Sequence, residues 1–319
     1  MLKLVILIIY FAVLIGIGLY CRKHATDVNG FVLGGRSVGP WLTAFAYGTS
    51  YFSAVVFVGY AGQFGWKYGI AATWAGIGNA IIGSLLAWVV LGRRTRIMSQ
   101  HLDSATMPQY FGKRFGSNPL KIGASVIIFI FLIPYTASLY NGLSRLFGMA
   151  FNIDYSVCII IMATLTAIYV IAGGYMATAI NDFIQGIIML FGIVAVIAAV
   201  IHSKGGFMSA LQGLANVSDP AVSDTPGIFA SFFGPDPFNL LCVVILTSLG
   251  TWGLPQMVQK FYAIDNEASI QKGTVISTIF ALIVSGGCYF LGGFGRLFSD
   301  QIDVKANGFD SIIPTMLSN

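Results

Sequence analysis

IAATWAGIGNAIIGSLLAWVVL, residues 70–91, decides the fold. It contains no Asp, Glu, Lys or Arg. At about 1.5 Å per residue it is long enough to cross the roughly 30 Å of bilayer hydrocarbon as one helix. A helix satisfies its own backbone hydrogen bonds, which hydrocarbon requires. Residues 122–143 and 183–201 are equally free of charge. Such runs recur along the chain, so its surface must face lipid over most of its area.

The composition agrees. Hydrophobic residues make up 56% of the 319 positions and charged residues 9%, where soluble domains carry about 25% charged residues. The runs predict eight helices at 2–20, 41–64, 69–91, 121–147, 155–172, 182–201, 239–257 and 274–297. The fold class is an all-α polytopic membrane protein. Residues 2–20 read as an uncleaved first span, because no small-x-small site closes the run.

The net charge of +5 comes from cations placed between spans. There they set topology and meet lipid headgroups, so a nucleic-acid partner is excluded. With the N-terminus outside, the inner loops hold Arg22, Lys23, Arg36, Arg93, Arg94, Arg96, Lys113, Arg114, Lys121, Lys260 and Lys272, eleven of the 17 basic residues. The outer side holds the other six, Lys3, Lys67, Arg145, Lys204, Arg296 and Lys305. The bias predicts both ends outside, with Ser99 on an inner loop and Ser223 on an outer one. A short amphipathic helix is predicted at Met107 to Phe115. Another is predicted in the outer loop at Phe207 to Leu214, and a lateral or re-entrant one at Asp310 to Leu317. Cys21, Cys158, Cys242 and Cys288 match no metal spacing and predict no disulfide.

Polar groups at membrane depth carry the functional signal. Thr43, Gly48, Thr49, Ser50, Ser53, Gly59 and Gly62 stud span two. They permit unwinding, and freed carbonyls with hydroxyls suit a small alkali cation. Hydroxyls bonded back to their own helix are the equal alternative. Span seven carries Thr247, Ser248, Gly250, Thr251, Trp252, Gly253, Pro255 and Gln256. Pro255 removes one amide donor from the ladder. A break that holds a polar solute and a simple kink both fit. Asp182 opens the predicted sixth span, where it reads either as a helix cap or as a functional carboxylate. Gln185 shares its face. Pro134 interrupts span four, whose Tyr135, Thr136, Ser138, Tyr140 and Asn141 are candidates to line a path. An enzyme would need His, Asp or Glu clustered at this depth, and a channel a filter; neither pattern is present.

Several stretches together resemble the bacterial sodium:solute symporter family of sodium/proline, sodium/sugar and sodium/sialic acid transporters. They are Gly35-Arg36-Ser37-Val38-Gly39-Pro40-Trp41, Gly48-Thr49-Ser50-Tyr51-Phe52-Ser53, Pro108-Gln109-Tyr110-Phe111 with Arg114-Phe115, Ala172-Gly173-Gly174-Tyr175, Asn181-Asp182-Phe183-Ile184-Gln185 and Gly253-Leu254-Pro255-Gln256. The likeness runs through nearly the whole chain and is to the family's N-terminal part. It implies an extra first helix, then five plus five helices in inverted repeats, incomplete at the C-terminus. Residues 1–40 would be the extra helix and an inner loop, 41–201 the first repeat, 202–238 an outer loop, and 239–319 the start of the second repeat.

The resemblance implies sodium on the carbonyls of Thr49 and Phe52 near Ser50 and Ser53. It implies a second cation site or exit path at Asp182, and a solute path along Thr247, Thr251, Trp252, Pro255 and Gln256. Asn181 stands where the family usually has Thr. Tyr51 stands where its proline transporters have Asp, and Thr247 and Thr251 where they have Trp and Tyr, which weakens a proline assignment. The expected function is sodium-coupled symport of an amino acid, sugar or related organic acid across the cytoplasmic membrane, without cofactor or covalent chemistry. A non-transporting sensory or structural module with the same fold is the rival. The far wall of the sodium site is expected on a helix beyond Asn319, so these 319 residues alone are expected not to accumulate solute.

Overall fold

The computed structural model describes residues 2–151 and 153–318. The side chains of Lys3, Arg145 and Lys305, three of the six outer cations, lie outside the described residues.

The structure is built of helices, several of them long and apolar. Val55–His101 and Tyr155–Ser203 are consecutive helical runs of 47 and 49 residues. At about 1.5 Å per residue each would measure about 70 Å, more than twice the hydrocarbon thickness. A glycine divides each of them. Gly69 and Gly174 take φ values of 64° and 57°, a left-handed conformation that glycine adopts without steric cost. The helices that cover the eight predicted spans are then Leu2–Cys21; Pro40–Tyr51 continuing through Val55–Tyr60 and Ala61–Tyr68; 70–101; Asn118–Phe151; 155–173; 175–203; Pro237–Leu249 with Pro255–Ala263; and Glu267–Gly293, and they keep those span numbers below. Pro134 lies inside a continuous helix, so span four is not interrupted there.

Side-chain contacts fix the directions. Gly48 packs on Phe280 and Gly65 on Gly292, so span two runs parallel to span eight. Asn79 meets Ser285 at 3.3 Å, Ser84 meets Ser277 at 2.7 Å, and Trp88 covers Gly273, so span three runs against span eight. Gly186 touches Phe280, and Ile193 touches Gly287, so span six also parallels span eight. Span seven follows span three, from Ser248 beside Asn79 to Trp252 beside Ile82. Spans two, six and eight therefore run one way, and three and seven the other, as a chain that crosses repeatedly must. Small residues let backbones nearly touch: a Cβ on Gly65 would overlap the Gly292 carbonyl, and one on Gly292 the Ala61 carbonyl.

The connections separate by end. At one end Arg36 donates to the Ser99 hydroxyl and carbonyl and the Tyr262 carbonyl, each at 3.3 Å, and to the Ser104 carbonyl at 2.8 Å. Arg36 itself has φ 55°, which costs a non-glycine residue about 1–2 kcal/mol. Its four hydrogen bonds hold it there. Burial, and then the nearby Arg96 charge, keeps its guanidinium below the ordinary arginine pKa. Arg96 donates to Ile264 and Asp265 carbonyls at 2.6 and 2.7 Å. Helix Met107–Phe115 lies at this basic end as expected, with the Thr106 hydroxyl capping Gln109 N–H. At the opposite end Arg296 donates to Asp219 at 2.9 Å and lies 3.8 Å from the Phe229 ring centre. Phe207–Ala215 and Ile312–Ser318 are helices at that end, close to their predicted bounds.

Three further expectations change. Ser99 is fully buried under Arg36, so it is not an exposed loop position. Lys260 belongs to helix Pro255–Ala263 and is 7% exposed, not a loop cation. Span six begins directly after Gly174, so Asp182 lies two turns inside a helix and caps nothing.

Candidate functional site

Span two breaks where its hydroxyls cluster. Its first helix ends at Tyr51, and Phe52 takes φ −95°, ψ 60°. Past Ser53 the chain resumes as a π-helix, Val55–Tyr60. Backbone bonds at the break run from Phe52 N–H to Gly48 (2.8 Å) and from Val56 and Phe57 N–H to Ser53 (3.0 and 3.1 Å). The regular ladder onto the carbonyls of residues 49 and 50 is thus interrupted. Of the two readings of the hydroxyls, Thr49 satisfies the bland one, since its side chain donates back to Phe45 C=O at 3.0 Å. Its carbonyl, with those of Ser50 to Phe52, offers the hard oxygen donors that a sodium ion prefers.

Span seven breaks too. A 3₁₀ turn, Gly250–Gly253, and an extended Leu254 separate its halves, which bend by 52°. Pro255 starts the second half at a position where a missing N–H costs no bond. The flanking polar groups point into the protein. Thr247 and Ser248 hydroxyls donate to the Asn79 side-chain oxygen at 3.1 and 3.0 Å, and Trp252 donates to Ile82 C=O at 2.9 Å. Thr251 is bonded back to Ser248 C=O at 2.9 Å. Gln256 turns both amide atoms inward, away from solvent.

The two breaks are joined. Tyr51 stacks on Phe52 at 4.3 Å between ring centres, and its hydroxyl donates to Thr247 C=O at 2.9 Å. A carboxylate at this position could not donate that bond. Asp182 lies near Thr49 of span two and faces Lys260 of span seven, whose ammonium is 3.8 Å away. The structure therefore brings Thr49, Phe52, Thr247 and Asp182 into one connected region between spans two, six and seven. Among span four's polar residues, Thr136 and Ser138 face outward, while Asn141 accepts from Tyr155 at 3.1 Å and lies 3.5 Å from Asp310.

The family model described as "Sodium:solute symporter family" matches residues 31–308. The chain belongs to the sodium:solute symporter family. This symporter-family chain is 29% identical to the osmoregulated proline transporter OpuE of Bacillus subtilis (strain 168) over 93% of its own length and 59% of the relative's. It is also 29% identical to a sodium/proline symporter of Staphylococcus aureus (strain JH9), over 98% of itself and 60% of that protein. It therefore spans about 60% of the length of these curated relatives. A solved substrate-bound, outward-open Na+-coupled sialic acid symporter shares its fold, with a TM-score of 0.75 at 16% identity, over 99% of this chain and 66% of that one.

Three residues of this symporter-family chain escape the sequence reading. Asn79 joins spans three, seven and eight, yet a single Asn in an apolar run is also an ordinary packing residue. Tyr51 registers in sequence only as a lost carboxylate, whereas in the fold it is a brace. Lys260 follows the predicted end of span seven at 257 and has the look of a topology marker.

Proposed function

We propose that this chain carries part of a sodium-coupled symport pathway for a small polar organic solute, working by alternating access. The observation that supports it most is the pair of broken helices, 49–53 and 250–255, joined by the Tyr51–Thr247 hydrogen bond. Broken spans with exposed backbone polar groups are how secondary transporters hold ions and solutes at mid-membrane.

In this reading the Thr49 and Phe52 carbonyls, with Ser50 and Ser53 nearby, supply part of a sodium shell. The remaining oxygens come from outside residues 49–53. Thr247, Thr251, Trp252, Pro255 and Gln256 flank the solute, and Asp182 serves a second cation site or the exit path. Residues 41–201 form a first five-helix repeat after an extra helix and loop at 1–40. Residues 202–238 form an outer loop, and 239–319 begin an inverted second repeat. The antiparallel directions of spans two and seven, both broken, fit that inversion. Proline and sialic acid, the solutes in the relatives' names, head the panel to be tried.

Uptake into vesicles tests the function. The protein at its full native length should take up one solute from a panel of small polar compounds with sodium outside and not with choline. Sodium-independent entry of every solute would count against symport. Orientation has its own test. We place the basic end in the cytoplasm and the N-terminus outside. With the exposed Cys242 replaced by Ala, a membrane-impermeant thiol reagent added to intact cells should label Thr225→Cys and not Asn118→Cys. The reverse pattern contradicts that orientation.

A further inference from the structure

The pair Asp182–Lys260 is the least expected feature of the site. Both side chains are largely withdrawn from water, 22% and 9% exposed. The ammonium also lies 5.1 Å from the Tyr175 ring centre. The Nζ to Oδ2 separation of 3.8 Å exceeds the 2.7–2.9 Å of a charge-assisted hydrogen bond. The ammonium is thus held by charge and by an aromatic face, not by a locked donor geometry. Asp182 lies near Thr49, the residue whose carbonyl supplies part of the proposed sodium shell, and Phe183, next to it, packs on Phe45 of span two at 4.8 Å between ring centres. Lys260 belongs to the short half-helix Pro255–Ala263, which the 52° bend separates from the rest of span seven.

Together these observations place a tethered cation beside a carboxylate that borders the sodium half-site. We infer that Lys260 is a resident counter-cation of Asp182 that sodium displaces, so that ion binding at span two is transmitted to the second half of span seven. Two cations a few ångströms apart in a poorly solvated site repel strongly, because little water screens them. Sodium at Thr49 and Phe52 weakens the hold of Asp182 on the ammonium. Lys260 then leaves with its half-helix toward the basic end. When Lys260 returns, it expels sodium from the carboxylate. Lys260 is a positioning residue in this scheme. A lysine ammonium suits the role, since it is a compact point charge that no fixed fork of donors ties to the carboxylate. The inference rests on the sodium-coupled reading above and deepens it.

The test is a sodium titration of the purified full-native-length protein against choline at constant ionic strength, read by intrinsic tryptophan fluorescence. Lys260→Met removes the competitor and should lower the half-saturating sodium concentration about tenfold, equal to about 1.4 kcal/mol. Lys260→Arg keeps the competitor and should stay close to the wild type. A folded Lys260→Met protein that binds sodium no better than wild type overturns the inference. A second measurement needs no variant. Amine-reactive labelling of Lys260 in the wild type, followed by peptide mass spectrometry, should speed up severalfold when sodium replaces choline. Labelling that sodium leaves unchanged, or slows, overturns it as well. A wild type with no saturable sodium response overturns the sodium-coupled reading itself, and this inference with it.

Discussion

Gly292→Val is expected to yield almost no folded protein. Gly292 lies where span eight crosses span two, and any Cβ there overlaps the Ala61 carbonyl. The obstacle is backbone, not the end of a flexible side chain, so the two helices must separate. Overpacking a core costs typically about 1–3 kcal/mol and occasionally more. A displaced backbone also unseats Gly65, whose own Cβ position meets the Gly292 carbonyl. Against a total stability of about 5–15 kcal/mol, such a loss should remove the monodisperse peak in gel filtration. Gly123→Val is the matched control, since nothing lies within 4 Å of a Cβ at that position. A monodisperse Gly292→Val protein, melting within a few degrees of wild type, contradicts the packing of spans two and eight described here.

Asp182→Asn should have the second largest effect, on stability as well as on sodium dependence. The amide cannot balance the Lys260 charge, and Lys260 is buried. Removing one partner of a buried ion pair typically costs about 3–5 kcal/mol, because the other charge stays behind. Asn would serve well as a cap, but at two turns into the helix there is no cap to preserve. The single variant should therefore melt well below wild type and lose most of its sodium activation. Adding Lys260→Met should restore much of the melting temperature but not the sodium activation. Equal melting for the Asp182→Asn single variant and the wild type, measured by differential scanning fluorimetry, contradicts the buried pair.

The sequence and the fold part company for physical reasons that particular residues show. Charge-free runs place the spans, because hydrocarbon permits so few alternatives. Gly250, Gly253 and Pro255 permit either a break or a kink, and the hydroxyl-rich stretch 49–53 either a break or back-bonded hydroxyls; the structure has a break at both. Amphipathic patterning likewise places the helices at 107–115 and 207–215. Partners distant in sequence are not legible in this way. The Tyr51 hydroxyl finds the Thr247 carbonyl 196 positions away. Asp182 reads as a helix opening because Gly173-Gly174 ends span five. Only the Gly174 dihedrals show that the next helix begins at once. Lys260 reads as a loop cation because a lysine just past an apolar run usually marks an interface. The extended Leu254 and the 52° bend instead turn its half-helix inward. Ser99 misleads in the same way, since its burial depends on Arg36 arriving from a separate segment.

Coupling of solute to sodium shows in the accumulation ratio under an imposed gradient. The full-native-length protein is placed in vesicles with sodium high outside and low inside, and internal solute is measured over time. The transported solute should rise above its external concentration, and the excess should drain away once an ionophore equalises sodium. Solute that only ever reaches its external concentration, with the same plateau whether sodium is graded or equal, would contradict symport.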